Sequence, residues 1–304
     1  MPLLMLIWLV RKQQRSLLSF LIAACFVGSF LSLIFISTRW DITGFWLRYI
    51  WIALFIVAFA IGFSRHRNRS FFAHTSLLQT GLKSVQVVLI FLMIFSIWQM
   101  RSNAAFKGEA VKLAMPLKGV SWYVVNGGSN AFMNPHRHVR AQEYAVDITI
   151  LNSLSQRAIG LIPTDLTRYS AFGTEVTAPC DGRVIAMENN LPDQRPLQMD
   201  SANLAGNHVT IACKDVVVML AHLKRGSVVV ALGGEIQTGG RIGEIGNSGN
   251  TTEPHLHIHA VRQPTQGTQK LEEVLFTGDP VPMIFDNEFL TRNSFGTSKQ
   301  AFSN

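Results

Sequence analysis

Three histidines within five residues give this chain its clearest candidate for chemistry. His255, His257 and His259 alternate with Leu256 and Ile258 directly after a glycine-rich turn. Because successive side chains of a β-strand point to opposite faces, the two aliphatic residues can enter a core while the imidazoles share the other face. Imidazole titrates near neutral pH and is a common metal ligand. The segment therefore predicts a metal or acid–base site on one face of a sheet.

Polar residues elsewhere in the chain can join this row. Asp147 lies in an alternating run whose apolar members take one face, so its carboxylate is predicted to point away from the core. His222 ends a strongly apolar run, at the rim of a predicted strand, although a lone histidine there is more often structural. A polar loop before the Asp147 strand holds His136 and His138.

The first hundred residues are overwhelmingly apolar and predict three transmembrane helices. Residues 17–37, 45–63 and 84–100 carry almost no charge. Each stretch approaches the roughly 20 residues that cross a bilayer as a helix. Residues 1–10 are also apolar but too short to span, and basic residues follow them instead of a cleavage site, so a removable signal peptide is the less favoured interpretation.

Basic residues orient the predicted helices. Since positively charged flanks stay in the cytoplasm, the N-terminus and the connection after the second helix are predicted to be cytoplasmic, and everything after about residue 101 to lie outside. The net charge of +8 fits an anionic partner such as lipid headgroups or a cell-wall polymer, and no nucleic acid is expected as a partner there. The flanking residues are Arg11, Lys12, Arg15, Arg65, Arg67 and Arg69.

The exported part is predicted to be all-β, an antiparallel sandwich or partly open barrel. Short alternating or β-branched runs recur between glycine, proline and asparagine turn signals. The predicted strands are 120–125, 144–151, 182–187, 208–212, 216–221, 227–231 and 255–260. The chain then divides into a membrane region (1–101), a linker (102–117), a β domain (118–290) and a polar, frayed tail (291–304).

The three cysteines leave one pairing open. Cys25 falls in the first predicted helix, whereas Cys180 and Cys213 fall in the exported part, where oxidation is possible. A disulfide between them is conceivable, but the sequence gives no Cα separation. None of the three lies in a C-x-x-C motif of the kind that binds zinc through thiolates, so they are not counted as ligands.

Taken in order, these motifs resemble the lysostaphin/LytM-like zinc metallopeptidases, which cut peptide cross-links in bacterial peptidoglycan. The resemblance covers about residues 118–262 and implies a β fold of the duplicated-hybrid-motif type. It also implies a Zn²⁺ cofactor bound by Asp147 and His257, with His222 and His255 acting in catalysis. The matching segments are Gly206-Asn207-His208-Val209, Ala221-His222-Leu223, the glycine-spaced run 233–249, and Pro254-His255-Leu256-His257.

One position departs from that family's usual pattern. Glu143 stands four residues before Asp147, where the family usually has a zinc-binding histidine. The chain is similar instead to a subgroup that reads Asn-x-His, a spacer, then Gln-x-Tyr-Ala-x-Asp. This subgroup implies His136 as the third ligand, with His138 next and Glu143 last. His259 lies on the same face but two residues further along the strand, so we expect it to have a supporting or structural role. The matching residues are Asn134, His136, Gln142, Tyr144, Ala145 and Asp147.

We therefore expect a multi-pass protein of a bacterial inner or plasma membrane whose exported zinc endopeptidase domain hydrolyses peptidoglycan peptides. Because Glu143 stands where the family usually has a zinc-binding histidine, an alternative is a degenerate, metal-free domain that binds peptidoglycan or activates another hydrolase. Glycine spacing of this kind also occurs in lipoyl and phosphocarrier domains. The predicted hairpin tips at 233–234 and 239–240 offer glycines where a lipoyl carrier needs a lysine, and a phosphocarrier would have to face the cytoplasm.

Overall fold

The chain forms two compact units. The computed structural model describes residues 1–102, 105–106, 108–263 and 277–298. The first unit comprises Met1–Trp40 and Phe45–Ser102, and the second comprises Asp41–Gly44 and Asn103–Asn304.

The first unit is helical, and three of its helices confirm the predicted long apolar segments. These three are long and apolar enough to cross a membrane, with mean hydropathies of 2.4, 2.0 and 1.9. The last begins at Leu77, well before the expected residue 84, because polar residues of its first turns continue the same helix. The helices are α1 (Pro2–Arg11), α2 (Leu17–Ser37), α3 (Leu47–His66) and α4 (Leu77–Ser102).

Apolar side chains form the interior of this unit and also much of its surface. Phe20 of α2 is wholly buried and lies 5.7 Å from Phe59 and 4.9 Å from His66, measured between ring centroids. At the start of α2, the Ser16 side chain accepts a hydrogen bond from the Ser19 backbone N–H and so caps the helix. Much of the remaining apolar surface is exposed, which suits a hydrocarbon environment better than water.

The second unit is built on an eight-stranded sheet in which every neighbouring pair is antiparallel. The predicted all-β, mainly antiparallel domain is thereby confirmed. The sheet has the order β13-β2-β3-β10-β7-β6-β5-β8, and the two smaller sheets are β1-β11-β12, with β1 parallel to β11, and β4-β9. The strands are β1 (Val111–Leu113), β2 (Ser121–Asn126), β3 (Val146–Ile150), β4 (Glu175–Thr177), β5 (Gly182–Glu188), β6 (Asn207–Ala212), β7 (Val216–Leu223), β8 (Glu235–Ile236), β9 (Arg241–Glu244), β10 (Leu256–Arg262), β11 (Met283–Phe285), β12 (Glu288–Phe289) and β13 (Phe295–Thr297).

Two expectations about this unit are wrong. Residues 227–231 form no strand: they follow a turn, and Val229 donates its backbone N–H to Ile242 without a ladder continuing on either side. The segment after residue 290 is not simply a frayed tail, since β13 pairs with β2. Gly296 permits this pairing, because a Cβ at that position would lie 2.4 Å from the Trp122 indole. Residues 299–304 of the predicted tail lie outside the described residues.

Strands β3, β10 and β7 lie side by side in the main sheet, and their side chains project alternately from its two faces. Ile148, Leu220 and Ile258 are wholly buried on one face in the main hydrophobic core. In register, His257 of β10 pairs with Asp147 of β3 on one side and with Ala221 of β7 on the other. The face opposite the core therefore brings the predicted polar residues together.

A disulfide fixes the outer part of the sheet. Cys180 and Cys213 are bonded, with their Cα atoms 6.1 Å apart. They flank the paired strands β5 and β6, in which Arg183 pairs with Ala212. The pairing left open by the sequence is thus present, and Cys25 of α2 is a free thiol.

Candidate metal centre and active site

A buried carboxylate occupies the centre of the candidate site. Asp147 of β3 has a side chain that is 5% exposed. Its Oδ2 lies 2.7 Å from His136 Nε2 and accepts a hydrogen bond of 2.8 Å from Asn126 Nδ2. Its Oδ1 lies 2.9 Å from His257 Nδ1 and 3.5 Å from His255 Nε2. Three imidazoles and one amide thus surround a single carboxylate.

The carboxylate and its neighbours shift each other's proton affinities. Burial raises the pKa of Asp147, but the charges of His136 and His255 lower it more, so the pKa lies well below its ordinary value. Burial lowers the pKa of His136 and of His255, yet the Asp147 carboxylate raises both above their ordinary values. Burial lowers the pKa of His257, and burial together with His255 holds the pKa of His222 well below its usual range. The buried carboxylate is therefore ionised near neutral pH.

A wholly buried asparagine anchors the loop that carries His136. Asn134 precedes a short 3-10 helix, Pro135–His138, and its Oδ1 accepts the His136 backbone N–H at 3.2 Å. Its Nδ2 donates to the carbonyls of Gly128 and Ala145, each at 2.9 Å. Because Ala145 directly precedes β3, this amide ties the His136 loop to the strand that carries Asp147.

The three candidates for a third metal donor lie in different surroundings. Within the described part of the chain, one donor atom each from His136, Asp147 and His257 lies within 4.8 Å of the other two, close enough to share a metal ion. His138 is exposed to solvent instead. Glu143 forms an ion pair with Arg137, with 3.0 Å between Oε1 and Nη1.

His222 and His255 are held in a different way, by backbone carbonyls. His222 Nδ1 lies 2.9 Å from the Ser248 carbonyl oxygen, and His255 Nδ1 lies 2.8 Å from the Glu253 carbonyl oxygen. Since a carbonyl only accepts hydrogen bonds, both rings carry the donated proton on Nδ1. Each ring can then gain or lose a second proton at Nε2, and the two ring centroids are 5.0 Å apart.

The backbone of His222 is strained at the rim of β7. Its φ is +62°, a left-handed conformation that costs a non-glycine residue about 1–3 kcal/mol. Two backbone bonds fix it: His222 N donates to Ala205 at 3.0 Å, and Gly246 N donates to His222 O at 2.9 Å. A Cβ at Gly246 would lie 2.4 Å from the Lys224 backbone, so only glycine permits this approach. In this backbone conformation the His222 side chain points into the site.

His259 contacts His257 but is not one of the three clustered metal-donor residues. It is 1% exposed, and its Nδ1 lies 3.0 Å from His257 Nε2. Because the Asp147 carboxylate only accepts hydrogen bonds, the neutral His257 ring donates from Nδ1 to Asp147, and its Nε2 accepts from His259 Nδ1; together the two contacts fix the ring orientation. This contact is consistent with the supporting role expected for His259.

A cavity of about 300 Å³ opens beside these residues. Part of its wall comes from Leu204 and Ala205, at the end of the long loop between β5 and β6. Its lining combines three of the site histidines with mostly apolar neighbours: His136, Val139, Gln142, Leu204, Ala205, Met219, Ala221, His222, Asn250 and His257.

A family model decides what kind of domain this is. Residues 166–269 match the model of Peptidase family M23. The β-rich unit carries an M23 domain. The match contains His222, His255 and His257, whereas His136 and Asp147 precede it. The lysostaphin/LytM-like resemblance drawn from the motifs is confirmed, and the apolar helices fit an anchor for the M23 domain.

Similar solved structures include several peptidases. A zinc-containing peptidase of Vibrio cholerae is 18% identical, with 53% of this chain and 41% of that chain covered and a TM-score of 0.31. The catalytic domain of the antimicrobial peptidase lysostaphin of Staphylococcus simulans is 21% identical, with coverage of 31% and 63% and a TM-score of 0.24. A peptidase M23 of Pseudomonas aeruginosa is 18% identical, with coverage of 57% and 55% and a TM-score of 0.29.

These overlaps are partial on both sides. This chain spans between 41% and 63% of the lengths of those three proteins. No curated protein sequence matches the chain significantly.

Sequence reasoning missed the groups that hold the candidate site residues in place. Asn126 ends β2 and reaches Asp147 only through strand pairing, in a register that no local pattern indicates. The carbonyls of Ser248 and Glu253 come from turns whose backbone direction is set by tertiary contacts. Asn134 belongs to the Asn-x-His motif, but no sequence pattern indicates the hydrogen bonds by which it anchors the loop.

Proposed function

We propose that this chain is a membrane-anchored zinc metalloendopeptidase that hydrolyses peptide bonds of bacterial peptidoglycan. One observation carries the proposal. A cluster of metal-donor atoms around Asp147 lies beside two histidines, His222 and His255, whose Nδ1 protons are given to backbone carbonyls. A cavity adjoins both groups.

The donor set fits zinc. His136, Asp147 and His257 offer two imidazole nitrogens and one carboxylate oxygen, a set of the kind that catalytic zinc sites use, with a further position left for water. The carboxylate is ionised despite its burial, and the His136 and His257 nitrogens approach it at 2.7 and 2.9 Å. When bound, zinc supplies a Lewis acid and lowers the pKa of a coordinated water to about 7.

His222 and His255 supply the proton chemistry in this proposal. Amide hydrolysis needs a base that takes a proton from the attacking water and a donor that stabilises the negative oxygen of the tetrahedral intermediate. Two rings with fixed Nδ1 protons and Nε2 atoms available for proton transfer can divide these tasks. Their anchoring to backbone carbonyls keeps the rings oriented without any reorganisation during the reaction.

Cleavage of cell-wall peptides tests this function. The full chain, purified in detergent with zinc, should release fragments from peptidoglycan or from cross-linked muropeptides. A chelator should stop the release, and added zinc should restore it. A zinc-loaded protein that binds peptidoglycan without ever cutting it would favour the alternative, a degenerate domain that binds the wall or activates another hydrolase.

We further propose that the protein lies in a bacterial inner or plasma membrane with its N-terminus in the cytoplasm and its M23 domain outside. The basic residues that precede α2 and those at and after the end of α3 support this orientation. A reporter enzyme that is active only outside the cytoplasm should work when fused after Asn304 and stay silent when fused near Asn68. The reverse pattern would place the M23 domain in the cytoplasm and remove its cell-wall substrate.

A further inference from the structure

A buried arginine contacts the turn that leads into His255. The Arg157 side chain is 5% exposed and donates from Nε to Glu253 Oε2 at 2.6 Å. Its Nη2 donates to the Leu161 carbonyl at 2.8 Å, and its guanidinium lies 5.7 Å from the centre of the Tyr169 ring. Nothing in the proposed chemistry so far uses this residue.

The same turn fixes the proton of His255. The Glu253 carbonyl lies 2.8 Å from His255 Nδ1 and accepts a second hydrogen bond, at 2.9 Å, from Thr251 Oγ1. Pro254, which is buried, joins the two residues and restricts the backbone between them. Glu253 is therefore held at its side chain by Arg157 while its carbonyl holds the catalytic ring.

Burying the Arg157–Glu253 ion pair costs free energy, which favours a role for the pair in fixing geometry over a role in stability. Taking two charges out of water is expensive, so a buried pair is weak evidence for stability and is often retained because it specifies one arrangement. The Glu253 side chain is 15% exposed, so the pair is largely removed from water. An arginine fork also directs its hydrogen bonds more strictly than a lysine can.

We propose that Arg157 is a positioning residue for His255. Its bond to Glu253 fixes the direction of the Glu253 carbonyl, and that carbonyl keeps the His255 proton on Nδ1 so that Nε2 faces the site. The inference rests on the proposed peptidase function for its catalytic consequence only. The arrangement of proton and ring is a property of the protein itself.

Turnover of the zinc-loaded full chain gives the first test. Arg157→Gln removes the charge and should lower kcat by about 10-fold or more, because a base or donor that loses its orientation loses much of its contribution. KM should stay within about two-fold, since no substrate contact is removed. Zinc content should be unchanged, because Arg157 touches none of the proposed ligands.

Two milder variants keep the test informative if Arg157→Gln does not fold. Arg157→Lys keeps the charge and one bond and should recover part of kcat. Glu253→Gln keeps the carbonyl, and the Asp41 carboxylate, 4.0 Å from Arg157 Nε, still compensates the guanidinium. This variant should show a smaller loss of kcat. Arg241→Gln is the control, since this half-exposed arginine of β9 pairs with Glu175 and Glu244, and it should leave kcat unchanged.

Histidine NMR supplies a readout that does not depend on activity. In full-length chain labelled with ¹⁵N-histidine, at a pH at which the ring is neutral and with His255 assigned through His255→Ala, wild type should show the single His255 proton on Nδ1. Arg157→Gln should show a mixture of Nδ1 and Nε2 protonation. The control Arg241→Gln should resemble wild type.

Two results would overturn the positioning role. One is an unchanged kcat and an unchanged His255 signal in Arg157→Gln. The other is a fall of kcat that accompanies loss of zinc or of folded protein in all three variants, which would make Arg157 merely structural. A wild type that never cleaves, yet shows the expected His255 signals, would instead refute the proposed function and leave the positioning role standing.

Discussion

The two faces of strands β3, β7 and β10 bury different kinds of side chain. On one face Ile148, Leu220 and Ile258 are wholly buried in the main core. On the other face Asp147 and His257 are buried almost as deeply, at 4% exposure each. Apolar packing stabilises the first face, whereas the second depends on hydrogen bonds between charged and polar groups.

The difference explains how a small domain keeps a polar cluster rigid. Burying a charge is costly unless it is paired, and each Asp147 oxygen has nitrogen partners. The same strands insert their alternate residues into the core, so the backbone of the site is fixed by the packing behind it. A shift of one residue in β10 would exchange histidines and aliphatic residues between the faces, which strongly specifies the register.

The largest expected effect follows from removing a metal donor on the site face. Asp147→Ala and His257→Ala should abolish zinc binding and cleavage together, and His136→Ala should do likewise. Changing a residue that only supports a ligand typically costs about 10–100-fold in metal affinity, so loss of one of three ligands should cost more than about 100-fold. Metal analysis of the purified full chain by mass spectrometry measures this, with wild type at about one zinc per chain.

Two neighbours provide controls for that prediction. His138→Ala and Glu143→Ala should keep zinc, because the first side chain is exposed and the second pairs with Arg137. If zinc survives in His136→Ala but is lost in either control, the third ligand has been assigned to the wrong residue. Absence of zinc from every preparation would favour the degenerate, metal-free domain.

The next effect separates carbonyl-anchored histidines from metal donors. His222→Ala and His255→Ala should keep about one zinc per chain and slow hydrolysis by roughly 100-fold or more, as expected when a general base or oxyanion donor is lost. Turnover should fall while KM changes little. The assay compares fragment release by wild type and variants at matched zinc content, and unchanged cleavage in both variants would contradict the assigned chemistry.

Local alternation was enough to predict the two faces. In the run 255–260, aliphatic residues and histidines alternate, and the structure places Leu256 and Ile258 in the core with His257 and His259 opposite. Asp147 followed from the same rule. The apolar stretches, which carry almost no charge, likewise predicted α2 and α3 nearly to their ends, because a helix in a bilayer needs mainly length and hydrophobicity.

Long-range contacts were beyond that reasoning. Asn126 and Arg157 act on residues 21 and 96 positions away, and no periodicity links such pairs. The left-handed backbone of His222 arises from bonds to Ala205 and Gly246, which tertiary packing brings together. Residues 227–231 have strand-like composition but no neighbouring ladder, so their propensity is not realised.

A core substitution should affect stability and leave the chemistry in place. Leu220 is wholly buried on the core face of β7, so Leu220→Ala should lower the free energy of unfolding by about 3 kcal/mol or more, through lost transfer energy and a residual cavity. Pulse proteolysis in urea on the full chain measures it. The folded fraction should retain zinc and normal turnover; loss of zinc from folded protein would mean that the two faces are not independent.

The smallest expected effect is at Met219, the neighbour of Leu220 on the site face. Met219 is 3% exposed, packs near Ala221 and Val261, and lines the cavity. Because one side of this residue already borders empty space, Met219→Ala should destabilise by about 2 kcal/mol, the low end for methionine truncations. Enlarging the cavity should change KM a few-fold while kcat and zinc content stay near wild type, since the residue borders the space proposed for substrate and not the proton-transfer groups.

Met219→Leu conserves volume and should cost less than about 1.5 kcal/mol, which makes it the control for size. Equal stability losses in Met219→Ala and Leu220→Ala, with KM unchanged, would show that Met219 belongs to the core in energetic terms and that the cavity beside it does not receive substrate.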